Sequence, residues 1–227
     1  TVTTSTAGGA FTNQGIVAAN ITKGAADHLE FSTQPGNNQA GVDLLPAVKI
    51  VDFGGNIVTN DARTITLAIQ ANPGAATLMG TVQHDTVNGV ATWVDADDLR
   101  ITIAASGYSL RASHSGGNFL TSQTADSAGF DITGTTPNHL AISLQPVNTI
   151  AGEDILINVS VLDVFNNLAP GTPVNVSIDS AINPGGWPLL TASSLTKTTV
   201  AGVASWGAAA DLRITAAING YRLVASG

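Results

Sequence analysis

The chain has 227 residues, enough for one large domain or two ordinary ones, and 44% of them are apolar, too many for a disordered chain. Only 11% are charged, with 8 Lys plus Arg against 16 Asp plus Glu, and the net charge of −8 excludes nucleic acid and anionic lipid as expected partners. There is no Cys, which excludes disulfides, thiolate metal sites and cysteine nucleophiles, and no apolar run reaches the roughly 18 residues of a membrane span.

In chain order, the first predicted element is a strand within residues 1–24, with Phe11, Ala19 and Ile21 as its apolar positions. Further on, Ile65, Leu67 and Ile69 alternate with Thr64, Thr66 and Ala68. Period two means one buried face and one wet face. Leu140, Ile142 and Leu144 repeat the pattern, as do Val174, Val176 and Ile178. Turn signals punctuate these runs at Pro35-Gly36, Gly54-Gly55-Asn56, Asn72-Pro73-Gly74 and Asn88-Gly89. No stretch carries a 3.6-residue period. The reading is all-β, with about seven short strands per sandwich.

The chain repeats itself. His28-Leu29 recurs as His139-Leu140, Gln34-Pro35 as Gln145-Pro146, Ala40-Gly41 as Ala151-Gly152, and Asp52 and Asn56 as Asp163 and Asn167. Asn72-Pro73-Gly74 recurs as Asn183-Pro184-Gly185, and all these pairs share an offset of 111 residues. After a two-residue insertion the offset is 113: Gly89-Val90-Ala91 matches Gly202-Val203-Ala204, and Trp93 matches Trp206. Asp98-Leu99-Arg100-Ile101-Thr102 matches Asp211-Leu212-Arg213-Ile214-Thr215, and Gly107-Tyr108 matches Gly220-Tyr221. Constant register over so many pairs means two copies of one unit. The expected division is a leading segment at 1–24, a first unit at 25–136 and a second at 137–227.

The succession Gln-Pro, Ala-Gly, Asp…Asn, Asn-Pro-Gly, Val-x-Gly-Val-Ala-Thr-Trp and Gly-Tyr-x-Leu-x-Ala-Ser resembles bacterial immunoglobulin-like (Big-type) tandem repeats of surface proteins and adhesins. The resemblance covers most of residues 28–227. It implies two tandem immunoglobulin-like β-sandwiches and a spacer or assembly role. Trp93 and Trp206 depart from it, since Phe is more usual there; a bulkier core residue is the expectation.

The resemblance also implies a last strand after the Gly-Tyr motif. The first copy continues through Gly116-Gly117-Asn118-Phe119 to Phe130-Asp131-Ile132-Thr133, whereas the second copy stops at Gly227. Gly8-Gly9-Ala10-Phe11 and Ala19-Asn20-Ile21-Thr22 resemble those closing segments. The chain thus reads as carrying an orphan closing strand at its start and lacking one at its end. Donation follows: the N-terminal strand of one subunit completes the second unit of another, at an acceptor end formed by Tyr221, Leu223 and Ala225. Closure onto its own second unit is disfavoured. Two units in series separate the sites by roughly 60–80 Å, which 24 residues span only when fully extended. The contact is heterologous, so it propagates unless it closes a ring.

Chemistry is sparse. His28 and His139 are equivalent positions at strand starts, while His84 and His114 lack zinc spacing. No Gly-x-Ser-x-Gly elbow or phosphate loop occurs, and no acid, base and nucleophile assemble, so no enzyme is expected. Asp95, Asp97 and Asp98 are the sharpest candidate site: a calcium site, or a plain solvated acidic loop. Asp52 and Asp163 are read as side chains capping their own turns. Asn20, Asn158 and Asn175 fit the N-glycosylation pattern, which chance also produces in an Asn- and Thr-rich chain. Trp187, after a Gly pair, is the aromatic expected to be open to contact.

The polar, uncharged composition and the start at Thr1 without Met suggest a mature or trimmed chain outside the cell or on its surface. The functional expectation is a structural subunit of an extracellular filament, a head-to-tail homopolymer without cofactor. The alternative is a spacer or adhesin segment of a larger surface protein, binding glycan or protein through its loops.

Overall fold

The structure is a computed structural model that describes residues 19–114, 122–189, 194–207 and 212–227. It is all-β. Among the described residues the first repeat contributes nine strands: β1 (His28–Thr33), β2 (Asn38–Gln39), β3 (Ala47–Val51), β4 (Thr64–Ala71), β5 (Gln83–Asp85), β6 (Val90–Thr92), β7 (Ala105–His114), β8 (Thr124–Asp126) and β9 (Phe130–Thr133). The second contributes six: β10 (His139–Leu144), β11 (Ile157–Leu162), β12 (Pro173–Ile178), β13 (Thr196–Thr198), β14 (Val203–Trp206) and β15 (Leu223–Ser226). One 3₁₀ turn covers Asp95–Asp97. No helix among the described residues is long and apolar enough to cross a membrane.

Each repeat makes two sandwich-like sheets. In the first, a sheet of order β1-β3-β6 faces a larger one of order β2-β9-β7-β4-β5, with β8 also on β7. In the second, β10-β11-β14 faces β13-β12-β15. The period-two alternation sets the inner faces. Ile65 and Leu67 are buried and pack with Val48, Ile50 and Trp93 in one core. Val174 and Val176 pack with Ile157, Val159 and Trp206 in a second, separate core. Both tryptophans are core residues, and each indole N–H meets a carbonyl, Thr81 O at 2.8 Å for Trp93 and Ser194 O at 3.0 Å for Trp206. A buried indole needs such a partner, because an unmade bond there costs about 1–3 kcal/mol.

The Asn88-Gly89 turn closes the hairpin between Val87 and Val90, with φ of 51° and 78°. Two successive left-handed residues are what a tight two-residue hairpin needs. Its counterpart uses Ala201 and Gly202, at φ 48° and 80°, so the second copy accepts a strained alanine at the first position.

Candidate functional site

β9 is the strand that completes the first repeat. It runs between β2, to which it is parallel, and β7, to which it is antiparallel. Ile132 pairs with Asn38 on one side and Ala105 on the other, and Phe130 pairs with Tyr108. Ala40 N–H donates to Thr133 O at 2.8 Å. Phe130 and Ile132 are each 2% exposed. The Phe130 ring stacks on Tyr108 with centroids 6.1 Å apart, and the Tyr108 hydroxyl donates to Ile103 O at 2.9 Å. That hydroxyl lies against Gly74 of the Asn-Pro-Gly turn, where a Cβ would come within 2.2 Å of it, so only glycine fits.

At the same place the second repeat has a groove of about 780 Å³, walled by Ile155, Ile214, Ile218, Tyr221 and Leu223. No strand lies in it among the described residues. Its rim is mixed: Val147 and Ile150, 77% and 78% exposed, alternate with the polar Asn148, Thr149 and Glu153. Tyr221, the counterpart of Tyr108, has its buried hydroxyl without a hydrogen-bond partner among the described residues. Leu223 is half-buried where Leu110 is fully buried. The strand beside the groove is also shorter. β7 extends over ten residues, but β15 over four, and residues 218–222 are not a strand although their counterparts in β7 are. A strand with no partner on one side loses its ladder and its reason to extend.

Of the predicted donor positions, Phe11 lies outside the described residues. Ala19 is exposed, and Ile21 is 93% exposed. Ile21 stands at the repeat position of Ile132, so the same side chain is bare in one place and fully packed in the other. Of the predicted acceptor positions, Tyr221 and Leu223 reach the groove wall. Ala225 lies further along β15, paired with Val176 and packed against the second core.

Asp95, Asp97 and Asp98 are not brought together as a ligand set, and no three such groups converge among the described residues. Asp97 turns inward and accepts from Val94 N–H and His84 Nε2, both at 2.8 Å. Those two bonds, the backbone one first, hold its carboxyl below the usual range. Asp98 pairs instead with Arg100. Among the three asparagines of the glycosylation pattern, Asn20 is exposed. Asn158 sits half-buried on β11, the middle strand of its sheet, and the Asn175 amide donates to Thr196 Oγ1 at 3.0 Å. Trp187 is 49% exposed.

The repeated Asp…Asn turn builds a second feature. Asp52 accepts the N–H groups of Gly54 and Asn56 at 2.9 Å, the Asn56 amide at 3.1 Å and Gly24 N–H at 2.8 Å. The Gly24 bond and then the Asn56 backbone bond lead in depressing its pKa to about 2. Asp163 does the same with Phe165, Asn167 and Thr135. Burial pushes the Asp163 carboxyl up, but these donors outweigh it and leave the pKa lowered. Both are turn caps, as the sequence suggests. The sequence does not reveal that Asn167 also reaches back into the first repeat. Its Nδ2 donates to Thr102 O at 2.9 Å and its Oδ1 accepts from Ala104 N–H at 2.7 Å. Beside it the Phe165 ring lies on Gly41, where a Cβ would come within 2.5 Å of the ring. The only sequence signal was the recurrence of Asn itself.

No family model matches the chain, and no curated protein does. Among solved structures, the apo form of β-glucuronidase 3 from Bacteroides uniformis is similar over 87% of this chain and 23% of that one, at 13% identity and a TM-score of 0.27. The chain therefore spans less than a quarter of that enzyme, and likeness at this level carries no functional argument.

Proposed function

We propose that the chain is a structural unit of an extracellular filament or surface assembly. It consists of two tandem immunoglobulin-like sandwiches coupled head to tail, and residues 8–22 of one copy complete the second sandwich of its neighbour. The observation that carries this reading is the groove beside Tyr221 and Leu223, at the position where the first repeat holds β9. The segment 19–22 has the spacing of β9 and leaves Ile21 bare. Burying that isoleucine contributes about 2 kcal/mol, less than the several kcal/mol that association costs, so the backbone ladder on both sides of the strand must supply the rest. The low charge density fits close packing of copies, since little repulsion has to be screened.

A second reading is favoured by the Asn167 contact between the repeats: a spacer in a longer array, whose groove is filled by the next stretch of the same polypeptide. Sedimentation velocity separates the two. The full chain is expected to form a concentration-dependent series of oligomers, and Ile21→Asp, which places a charge in the groove, is expected to leave monomers. Monomers from both chains at high concentration would overturn strand donation and leave the spacer.

A further inference from the structure

The contact between the two repeats is built by one side chain reading two backbone groups. Asn167 is 8% exposed, with its amide on Thr102 O and Ala104 N–H, while Asp163 holds Thr135 of the connecting segment. The parts of this joint occur once more, in Asp52, Asn56 and Gly24 of the first repeat and in Gly152, Thr215 and Ala217 of the second, and among the described residues no hydrogen bond joins these two sets. Asn56 occupies the position of Asn167, but it is exposed and its amide bonds only to Asp52 among the described residues. Gly24 already sits on Asp52 as Thr135 sits on Asp163, at 2.8 and 2.9 Å. At the other end Thr215 and Ala217 stand where Thr102 and Ala104 stand, and both are exposed. Gly152 keeps the left-handed backbone of Gly41, φ 87° against 79°, with open space where Gly41 carries the Phe165 ring. Phe53, 86% exposed, is the aromatic next to the position equivalent to Phe165.

We infer that Asn56 of one copy docks on Thr215 O and Ala217 N–H of a second copy of this chain. The joint between copies then reproduces the joint within one. This inference rests on the proposed head-to-tail assembly and adds the contact that fixes its geometry. The connecting segment makes the two contacts compatible. In the internal joint, β9 leads through Thr135 straight into the second repeat, and residues 19–22 lead through Gly24 into the first in the same way. A strand seated in a neighbour's groove therefore delivers Asn56 to that neighbour's Thr215 and Ala217. The carboxamide is suited to this, because it offers one donor and one acceptor to a carbonyl and an N–H two residues apart. A carboxylate or a lysine offers one kind only.

The test is the critical concentration for assembly of the full chain, measured by sedimentation, for wild type, Asn56→Ala, Ala217→Pro and Ile21→Asp. Asn56→Ala removes the reading side chain. Ala217→Pro removes the N–H at the opposite end, but Ala217 also lines the groove, so the double variant is measured too: a rise no larger than that of Asn56→Ala alone assigns both effects to one contact, and additive rises overturn it. Asn56→Ala, which loses both hydrogen bonds, is expected to raise the critical concentration about tenfold, and Ala217→Pro, which loses the one to the N–H, about threefold. Ile21→Asp is expected to abolish assembly. If Ile21→Asp abolishes assembly while the other two leave the critical concentration unchanged, the Asn56 joint is overturned and strand donation stands. If the wild-type chain does not assemble, the proposed function fails and the joint between copies fails with it.

Discussion

Asp52 and Asp163 show how one side chain can hold a turn and an incoming segment together. Each carboxylate accepts from its own turn and from a residue ahead of the repeat, Gly24 or Thr135. The Asp52 pKa is depressed to about 2 from an ordinary 3.8, so its bonds stabilise the fold fully above the ordinary value and are lost as pH falls toward 2. Asp52→Asn is therefore expected to lower the thermal midpoint at pH 7, with the gap to wild type closing between about pH 4 and pH 2. A gap that stays constant over that range would show that the ionised carboxylate contributes nothing. Asp163 is fully buried, and its loss leaves several donors without a partner. Asp163→Ala is expected to cost about 3 kcal/mol in urea unfolding, more than a surface substitution by a wide margin.

At the scale of elements, the contrast between β9 and the open groove is what matters. In the first repeat Phe130 fills the space under Tyr108 and Ile132 fills the space beside Ala105. Phe130→Ala is expected to destabilise the first repeat by about 3–5 kcal/mol, read as an earlier unfolding transition, while the second repeat's own transition is unmoved. Simultaneous loss of both transitions would mean that the repeats do not keep separate cores. The strands were legible because period-two alternation is local: Ile65, Leu67, Val174 and Val176 declare a buried face within a few residues. The repeat register made β9 legible as well, whereas residues 19–22, which repeat its sequence, form no strand within the chain. For the three aspartates, adjacency in sequence left the directions of the side chains open. Within four residues, Asp97 turns in to His84 and Asp98 turns out to Arg100. The joint at Asn167 was illegible for the opposite reason. Its partners are 63 and 65 positions away and are backbone groups, which any sequence supplies.

At the scale of the whole molecule, the proposed assembly makes the two ends of the chain complementary twice over. In it the exposed Ile21 before the first repeat enters the groove of the second, and the exposed Asn56 meets exposed backbone at Thr215 and Ala217. The contact so proposed is heterologous, and a heterologous contact extends into a filament unless its rotation closes a ring. The most direct measurement is negative-stain electron microscopy of the purified chain beside a version lacking residues 1–24. Fibres from the full chain, with only single particles from the shortened one, are the predicted result. Fibres from both, or from neither at high concentration, would contradict assembly by donation of the N-terminal strand.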